Sequence, residues 1–175
     1  MHILPANVSD IEQILRIYED ARLYMRKTGN AHQWAGGYPS REILMEDLAA
    51  GRLFLCVEGE EILGVFCFFI GEDPTYRVIE GAWADDRRPY GVIHRIAVAA
   101  SAHGRGVAAF CFAYAMERAV SVRIDTHRDN RPMQRALEKN GFVLCGIIHL
   151  ANGDPRLAYQ KIQAEGGECR GADRA

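Results

Sequence analysis

A short turn with two glycines, residues 103–108, constrains the fold of this chain most, because it joins a strand-like run to a helix-like run. The strand-like run covers residues 92–98 and the helix-like run covers residues 107–119. Backbone N–H groups at such a turn point in one direction, and the helix dipole adds partial positive charge at the same place. Gly104 and Gly106 let the backbone approach a ligand closely. The turn therefore predicts a binding site for a phosphate or pyrophosphate group.

Two common phosphate-binding motifs fit this turn less well. A P-loop requires a Lys followed by Ser or Thr, and Val107 and Ala108 stand there instead. A dinucleotide fingerprint requires three spaced glycines and an acidic residue at the end of the next strand. Asp125, in the strand candidate at residues 121–126, could be that acid, so a dinucleotide-binding protein stays open on spacing alone. Dinucleotide units usually open their domain, however, and this motif begins past the middle of the chain.

A second segment after the turn makes the pattern more specific. Asn130 suits a helix N-cap, and Gly141 is a typical helix stop. Met133 and Leu137 lie between them at helical spacing. These residues predict a helix that is led by Asn130 and ends at Gly141-Phe142.

Turn, Asn-led helix and Gly-Phe together resemble the GNAT superfamily of acyl-CoA N-acyltransferases. The acetyl-CoA motif of that family is Arg or Gln, two residues, Gly, one residue, then Gly or Ala, between the fourth strand and the third helix. The segment from His103 to Ala108 matches it except at the first position, where His replaces Arg or Gln. The resemblance is firm over residues 92–142, and the order of predicted elements extends it to the whole domain.

The resemblance implies an α/β fold of the α+β type. Its central sheet is mixed and mostly antiparallel, its fourth and fifth strands are splayed, and helices cover both faces. We expect this domain to span residues 1–162 and a flexible C-terminal tail to span residues 163–175.

The resemblance also implies acetyl-CoA as cofactor. The backbone of the fourth strand would pair with the pantetheine arm, the turn would bind the pyrophosphate, and the Asn-led helix would approach from the other side. The residues carried over for these roles are Ile96, Ala97 and Val98 on the strand, His103, Gly104, Arg105, Gly106, Val107 and Ala108 in the turn, and Asn130 and Met133 on the helix.

Transfer to an amine requires a general base, and two candidates stay open. Glu80 lies among aromatic and apolar residues, where a partly desolvated carboxylate is a better base. The alternative is an ordinary surface Glu on a half-exposed strand. His94 lies on the predicted fourth strand near the expected thioester, and imidazole exchanges protons near neutral pH. The alternative is a hydrogen-bonded structural His.

Many family members use a Tyr on the Asn-led helix as general acid, and Leu137 occupies that place here. Tyr90, His149 and Tyr159 are the substitutes. Strand alternation would place Arg95 on the face opposite His94. There it could orient a carboxylate of the acceptor or pair with an internal acid.

The acceptor pocket is expected to draw on aromatic and polar residues from several loops. The candidates are Trp34, Tyr38, Trp83, Tyr90, Arg95 and His149. Trp34 lies in a polar, glycine-rich loop, where large aromatics often recognise ligands. The alternative is a Trp that pins the loop to the core.

Composition favours a small enzyme. The formal charge of −2 over 175 residues gives no sign of a nucleic-acid partner. Five cysteines without metal-ligand spacing indicate free thiols in a reducing compartment and no metal site. With neither a signal peptide nor an apolar run long enough to span a bilayer, we expect a cytoplasmic protein with no membrane partner.

The sequence therefore predicts an acetyl-CoA-dependent N-acetyltransferase. It would move an acetyl group to a primary amine of a small molecule or amino-acid-like acceptor, by direct transfer in a ternary complex. A non-catalytic acyl-CoA sensor is the alternative, because the usual acid and the usual Arg or Gln are replaced. Family members often dimerise through sheet edges, which leaves a homodimer open.

Overall fold

The computed structural model describes residues 1–163. The predicted tail therefore lies outside the described residues, apart from Gln163. The main elements in chain order are β1 (His2–Pro5), α1 (Ile11–Lys27), α2 (Arg41–Ala49), β2 (Leu53–Glu58), β3 (Glu61–Gly71), β4 (Glu80–Gly81), β5 (Tyr90–Val98), α3 (Val107–Met116), β6 (Ser121–Thr126), α4 (Arg131–Lys139), β7 (Val143–His149) and β8 (Pro155–Ile162).

The strands form one eight-stranded sheet in the order β1-β2-β3-β5-β6-β8-β7-β4. The pair β5–β6 is parallel, and the other neighbouring pairs are antiparallel. The predicted fourth and fifth strands are β5 and β6, because the two-residue strand β4 adds one to the count. The mostly antiparallel α/β architecture expected from the sequence is confirmed.

Strands β5 and β6 separate part-way along their length. They pair only from Gly91–Val122 to Ile93–Ile124. Strand β5 then continues to Val98 with only β3 beside it. The sheet thus opens on the β6 side after Ile93, as the predicted splay requires.

Helices cover both faces of the sheet, as alternating side chains on β3 show. Phe66 and Phe68 pack edge-on against Tyr114 of α3. The thiol of Cys67, between them in sequence, lies 3.5 Å from Oδ1 of Asp47 on α2. Because successive strand residues point to opposite faces, α3 and α2 lie on opposite sides.

A β-bulge interrupts β5 at Arg95. Cys67 of β3 lies opposite His94, and Val65 lies opposite Ala97, so β5 has one extra residue in this stretch. Arg95 has φ 52°, which is uncommon for a residue other than glycine. A bulge breaks side-chain alternation. His94 and Arg95 therefore line the same cavity, and the expectation that Arg95 faces the opposite side is wrong.

Within residues 1–163, every helix is too short or too polar to traverse a lipid bilayer. The segment before β5 is mostly irregular. It contains a short 3-10 turn, Pro74–Tyr76, followed by the two-residue strand β4, which pairs with β7 at the sheet edge.

Candidate active site

A cavity of about 750 Å³ lies where β5 and β6 separate. Its walls come from the loop after α1, the loop after β3, the separating strands, α4 and the β7–β8 turn. Seven of the residues predicted for the site line it: Trp34, Tyr38, His94, Arg95, Ile96, Asn130 and Met133. The splay and the residues expected near the thioester thus share one space.

His94 lies between two carboxylates in this cavity. Its Nε2 is 2.7 Å from Oδ2 of Asp73, and its Nδ1 is 3.7 Å from Oδ1 of Asp125. The side chains of all three are largely buried, with exposed fractions of 20%, 13% and 12% for His94, Asp73 and Asp125. Oδ1 of Asp125 accepts a 2.8 Å hydrogen bond from the hydroxyl of Tyr76.

The charges of this group follow from its surroundings. Burial raises the pKa of Asp73, but hydrogen bonds from His94 and Thr75 outweigh it and lower the value to about 2. Burial raises the pKa of Tyr76, and Asp125 raises it further. Asp73 is therefore a carboxylate at neutral pH and accepts a hydrogen bond from the Nε2–H of His94. Tyr76 stays protonated, and its hydroxyl donates a hydrogen bond to Asp125.

Arg95 makes an internal ion pair. Its guanidinium donates to both carboxylate oxygens of Asp47, at 2.8 Å and 2.7 Å, and to the hydroxyl of Tyr38 at 3.1 Å. Burial lowers the pKa of Arg95, but Cys67, Tyr38 and Asp47 raise it beyond its usual value. Of the two roles expected for Arg95, pairing with an internal acid is the one it has in this structure.

Trp34 and Tyr38 form an aromatic wall. Trp34 is 9% exposed and packs edge-on against Tyr18 with ring centroids 5.5 Å apart. Tyr38 lies beside it at 6.5 Å. Trp34 pins its loop to the core and also lines the cavity, so its role in recognising an acceptor stays a prediction.

Asn130 caps α4 and also borders the cavity. Its Oδ1 accepts from the backbone N–H of Met133 at 3.2 Å, and its Nδ2 donates to Oε1 of Gln33 at 2.8 Å. The same Oε1 accepts from Nδ2 of Asn30 at 2.7 Å. This amide network ties the loop after α1 to the start of α4 across the opening.

The turn before α3 has the backbone geometry that an anion site needs. Gly104 and Gly106 have φ of 79° and 80°, and a Cβ at either place would meet open space. The first N–H groups of a helix lack partners within the helix, so those at the start of α3 are left for a ligand. The turn therefore fits a pyrophosphate group.

Two side chains of the turn already have partners. Nε2 of His103 lies 3.3 Å from the carbonyl oxygen of Val98, and its ring packs against Tyr24. Arg105 pairs with Glu58, and its Nη1 lies 3.7 Å from Oε2 of Glu61. The charge of Arg105 is thus shared between two acids.

A sequence profile described as the acetyltransferase (GNAT) family matches residues 12–142. The chain belongs to the GNAT acetyltransferase family. Family membership makes it an acyltransferase, and the GNAT family generally uses acetyl-CoA. Among curated proteins, no sequence matches this chain significantly.

Solved structures agree with this GNAT assignment. An acetyltransferase of the GNAT family from Streptococcus agalactiae 2603 is 34% identical, with a TM-score of 0.83 over 93% of this chain and 95% of that chain. A protein classed as an acetyltransferase from Staphylococcus aureus Mu50 is 26% identical, with a TM-score of 0.68 over 93% and 99%. A GNAT acetyltransferase from Bacillus cereus ATCC 10987, at 19% identity and a TM-score of 0.63 over 93% and 96%, shares the fold.

Two residues that the sequence predicted for the site of this GNAT chain lie apart from the cavity and contact each other. Oε1 of Glu80 on β4 is 2.6 Å from Nε2 of His149 on β7. Their side chains are 66% and 47% exposed, and neither lines the cavity. The hydrogen bond with Glu80 raises the pKa of His149. Glu80 is thus placed as the surface residue that the sequence left open as an alternative.

Trp83 and Tyr90 also lie outside the cavity lining, because they enclose a buried cation. The guanidinium carbon of Arg123 is 4.1 Å from the ring centre of Trp83 and 3.8 Å from that of Tyr90. Arg123 is fully buried and donates to the Asp85 carbonyl at 2.9 Å. These aromatics hold the segment before β5 against β6.

The substitutes for the missing acid are also placed. Leu137 is fully buried in the core. The hydroxyl of Tyr159 donates weakly to Oε1 of Glu138 at 3.4 Å, and the hydroxyl of Tyr90 accepts from the Asp73 N–H at 3.1 Å. Neither tyrosine lines the cavity.

Sequence reasoning missed Asp73 and Tyr76 and considered Asp125 only as a dinucleotide acid. One signal for Asp73 was available, since an acid followed by Pro74 ends a long buried strand. Nothing local indicates that Tyr76 reaches Asp125, which is 49 residues away.

Proposed function

We propose that this chain is an acetyl-CoA-dependent N-acetyltransferase that acts on a primary amine of a small molecule or amino-acid-like acceptor. Transfer is direct, within a ternary complex. The observation that carries this proposal is the position of His94. It is a potential base, held by a carboxylate, at the point where the two strands separate.

The cofactor residues fit acetyl-CoA. Gly106, Val107 and Ala108 present backbone N–H groups to the pyrophosphate, with Gly104 giving the close approach and His103 and Arg105 at the rim. Ile96, Ala97 and Val98 offer a strand edge that β6 leaves open, and the amides of a pantetheine arm can pair with it. Asn130 and Met133 border the inner end of this path.

Bound acetyl-CoA supplies an acetyl carbon activated as a thioester. The chain prepares the acceptor: His94 takes a proton from the incoming ammonium group, which frees the nitrogen lone pair for attack. The Asp73 carboxylate accepts a hydrogen bond from Nε2–H of the imidazole. Nδ1 is therefore the basic nitrogen that faces the cavity.

A covalent relay through a cysteine is disfavoured. The thiol of Cys67 lies 3.5 Å from Oδ1 of Asp47, and burial raises its pKa to about 12. A thiol with so little thiolate at neutral pH is a poor nucleophile. Cys111 is also buried, and its interaction with Cys56 together with its burial raises its pKa well above the usual value.

His94 is preferred over Glu80 as base, because His94 lines the cavity and Glu80 lies on an exposed edge. Replacing His94 by Gln lowers the transfer rate and leaves acetyl-CoA affinity nearly unchanged. The matched variant Glu80→Gln keeps the wild-type pH–rate profile. The reverse pattern assigns the base to Glu80.

The first test is thermal unfolding with excess acetyl-CoA, beside NAD and ATP. Ligand at about a hundred times its dissociation constant stabilises by roughly 2.7 kcal/mol, which raises the midpoint by about 5–10 °C for a chain of this size. A panel of amines then tests for thiol release. A shift without thiol release supports an acyl-CoA sensor, and a shift with NAD alone overturns the proposal.

A further inference from the structure

We propose that Asp125 binds the ammonium group of the acceptor, in the gap between its carboxylate and Nδ1 of His94. The site then selects unmodified primary amines over alcohols and amides. This inference rests on the proposed function, since it names the acceptor chemistry of the same site.

The position of Asp125 follows from the sheet register. Ile93 and Ile124 form the last pair between β5 and β6. His94 and Asp125 are the next residue on each strand, so they stand at the point where the strands separate. Both side chains line the cavity that opens there.

The gap between them lacks a hydrogen-bond donor. Since Nε2 of His94 donates to the Asp73 carboxylate, the imidazole that acts as a base presents an unprotonated Nδ1 toward Asp125. The 3.7 Å between Nδ1 and Oδ1 of Asp125 is too long for a direct hydrogen bond. Two acceptors therefore face each other across the opening.

Asp125 also has capacity left for a ligand. Its Oδ1 accepts from Tyr76, and no residue within 1–163 donates to its Oδ2. A primary ammonium group has three N–H donors, enough to reach Nδ1 and the carboxylate together. An alcohol has one donor and no charge, so it satisfies only one of them.

The charges around His94 favour a cation. Asp73 approaches from the loop after β3, Asp125 from β6, Tyr76 from the short 3-10 turn, and the ring of Phe69 from β3. Across the described part of the chain, neither Asp73 nor Asp125 forms an ion pair with an arginine or lysine. The neighbouring Arg95 is directed to Asp47 instead.

The test uses n-butylamine, which is protonated at neutral pH, as the probe and ¹⁵N-labelled protein. Histidine side-chain spectra report the tautomer and environment of His94. We expect millimolar n-butylamine to shift the Nδ1 signal of His94 and equal n-butanol to leave it unchanged. Asp125→Asn removes the charge and keeps the shape, and it should weaken n-butylamine binding about tenfold or more.

Asp154→Asn is the matched control, because Asp154 also lines the cavity but has no contact with His94. It should keep the His94 response. If Asp125→Asn does not fold, the amine–alcohol comparison in the wild-type protein still tests the inference, because an equal His94 response to both compounds would overturn it. A His94 signal that ignores n-butylamine, or an Asp125→Asn variant that binds it as the wild type does, overturns the inference.

The two proposals fail separately. If acetyl-CoA does not raise the unfolding midpoint and no thiol is released with any amine, the transferase proposal is wrong, whatever the result with n-butylamine. Thiol release with an unchanged amine KM in Asp125→Asn leaves the transferase intact and sinks the role of Asp125. A raised KM with a nearly unchanged kcat is the result expected for a residue that binds the acceptor.

Discussion

The hydroxyl of Tyr18 donates a 2.7 Å hydrogen bond to the carbonyl oxygen of Arg95, the residue at which β5 bulges. Tyr18 is fully buried on α1, and burial keeps its pKa well above the usual value. The side chain of Arg95 is held from a second helix, through Asp47 on α2. Two helices thus fix the bulge that turns both His94 and Arg95 into the cavity.

Tyr18→Phe should destabilise the protein by about 1–3 kcal/mol, because it leaves a buried carbonyl oxygen without its donor. The free energy of unfolding in denaturant measures this. Tyr24→Phe is the control, since Tyr24 is 41% exposed and should change stability by less than about 0.5 kcal/mol. Equal stability of the wild type and Tyr18→Phe would show that the bulge does not depend on this contact.

Asp47→Ala should destabilise the protein more than Tyr18→Phe does. The largely buried guanidinium of Arg95 then has no carboxylate partner. Breaking a buried pair in this way typically costs about 3–5 kcal/mol. The exposed pair of Arg41 and Glu12 provides the comparison, and Glu12→Ala should cost less than about 1 kcal/mol. Similar losses in the two variants would mean that solvent reaches the Arg95 pair freely.

Gly106→Val should abolish the stabilisation by acetyl-CoA while the protein still folds. Gly106 has φ 80° and open space at its Cβ position, so a side chain adds strain of roughly 1–2 kcal/mol and projects into the proposed pyrophosphate site. Gly51→Val carries similar strain at φ 66°, also in open space, away from the turn. Thermal unfolding with acetyl-CoA should separate them, and a retained shift in Gly106→Val removes the pyrophosphate assignment.

The glycine turn was predictable because its signals are local, whereas the splay was expected only from the resemblance to the family. Gly104, Gly106 and the N-cap Asn130 lie at element boundaries, where residue type and backbone geometry are tightly linked. The mostly antiparallel sheet with its splayed strands is confirmed.

The bulge could not be predicted, because Arg95 is not a residue type that marks a positive φ. Its partners Tyr18 and Asp47 lie 77 and 48 residues away. Alternation is the correct default for a strand, and long-range contacts override it here. For the same reason the sequence showed His94 as a candidate base without Asp73.

Trp83 and Tyr90 illustrate a different limit. Large aromatics near the expected pocket suggested acceptor contacts, but they stack on Arg123. A buried arginine is uncommon, and on β6 it looks like any other exposed strand residue in the sequence. The sequence did not show that Arg123 is buried between these two rings.

Arg123→Lys should destabilise the protein by roughly 2–4 kcal/mol, because a lysine keeps the charge but loses the planar group that stacks on both rings. Arg118→Lys is the control. The guanidinium of Arg118 stacks on Tyr114 at 3.5 Å, but the side chain is 42% exposed. Arg118→Lys should therefore lower the free energy of unfolding by less than about 1 kcal/mol. Denaturant unfolding compares them, and equal losses would argue against a special role for the Arg123 sandwich.

Asp73 should make stability depend on acid pH. Its pKa in the folded protein is about 2, below the usual 3.8, so its contribution is present above pH 4 and is lost as the pH falls toward 2. The stability difference between the wild type and Asp73→Asn should therefore shrink over this range. Asp20→Asn, at an exposed site on α1, should track the wild type, and a difference that stays constant with pH would refute the assignment.

Strand β5 divides into two parts at Ile93. Up to that residue it has a neighbour on each side, and beyond it only β3 remains. Amide hydrogen exchange should therefore distinguish the two parts: residues 91–93 are protected by folding alone, whereas alternate amides beyond Ile93 gain protection when a ligand completes the edge. Amide exchange rates along this single strand therefore report global unfolding up to Ile93 and ligand binding beyond it.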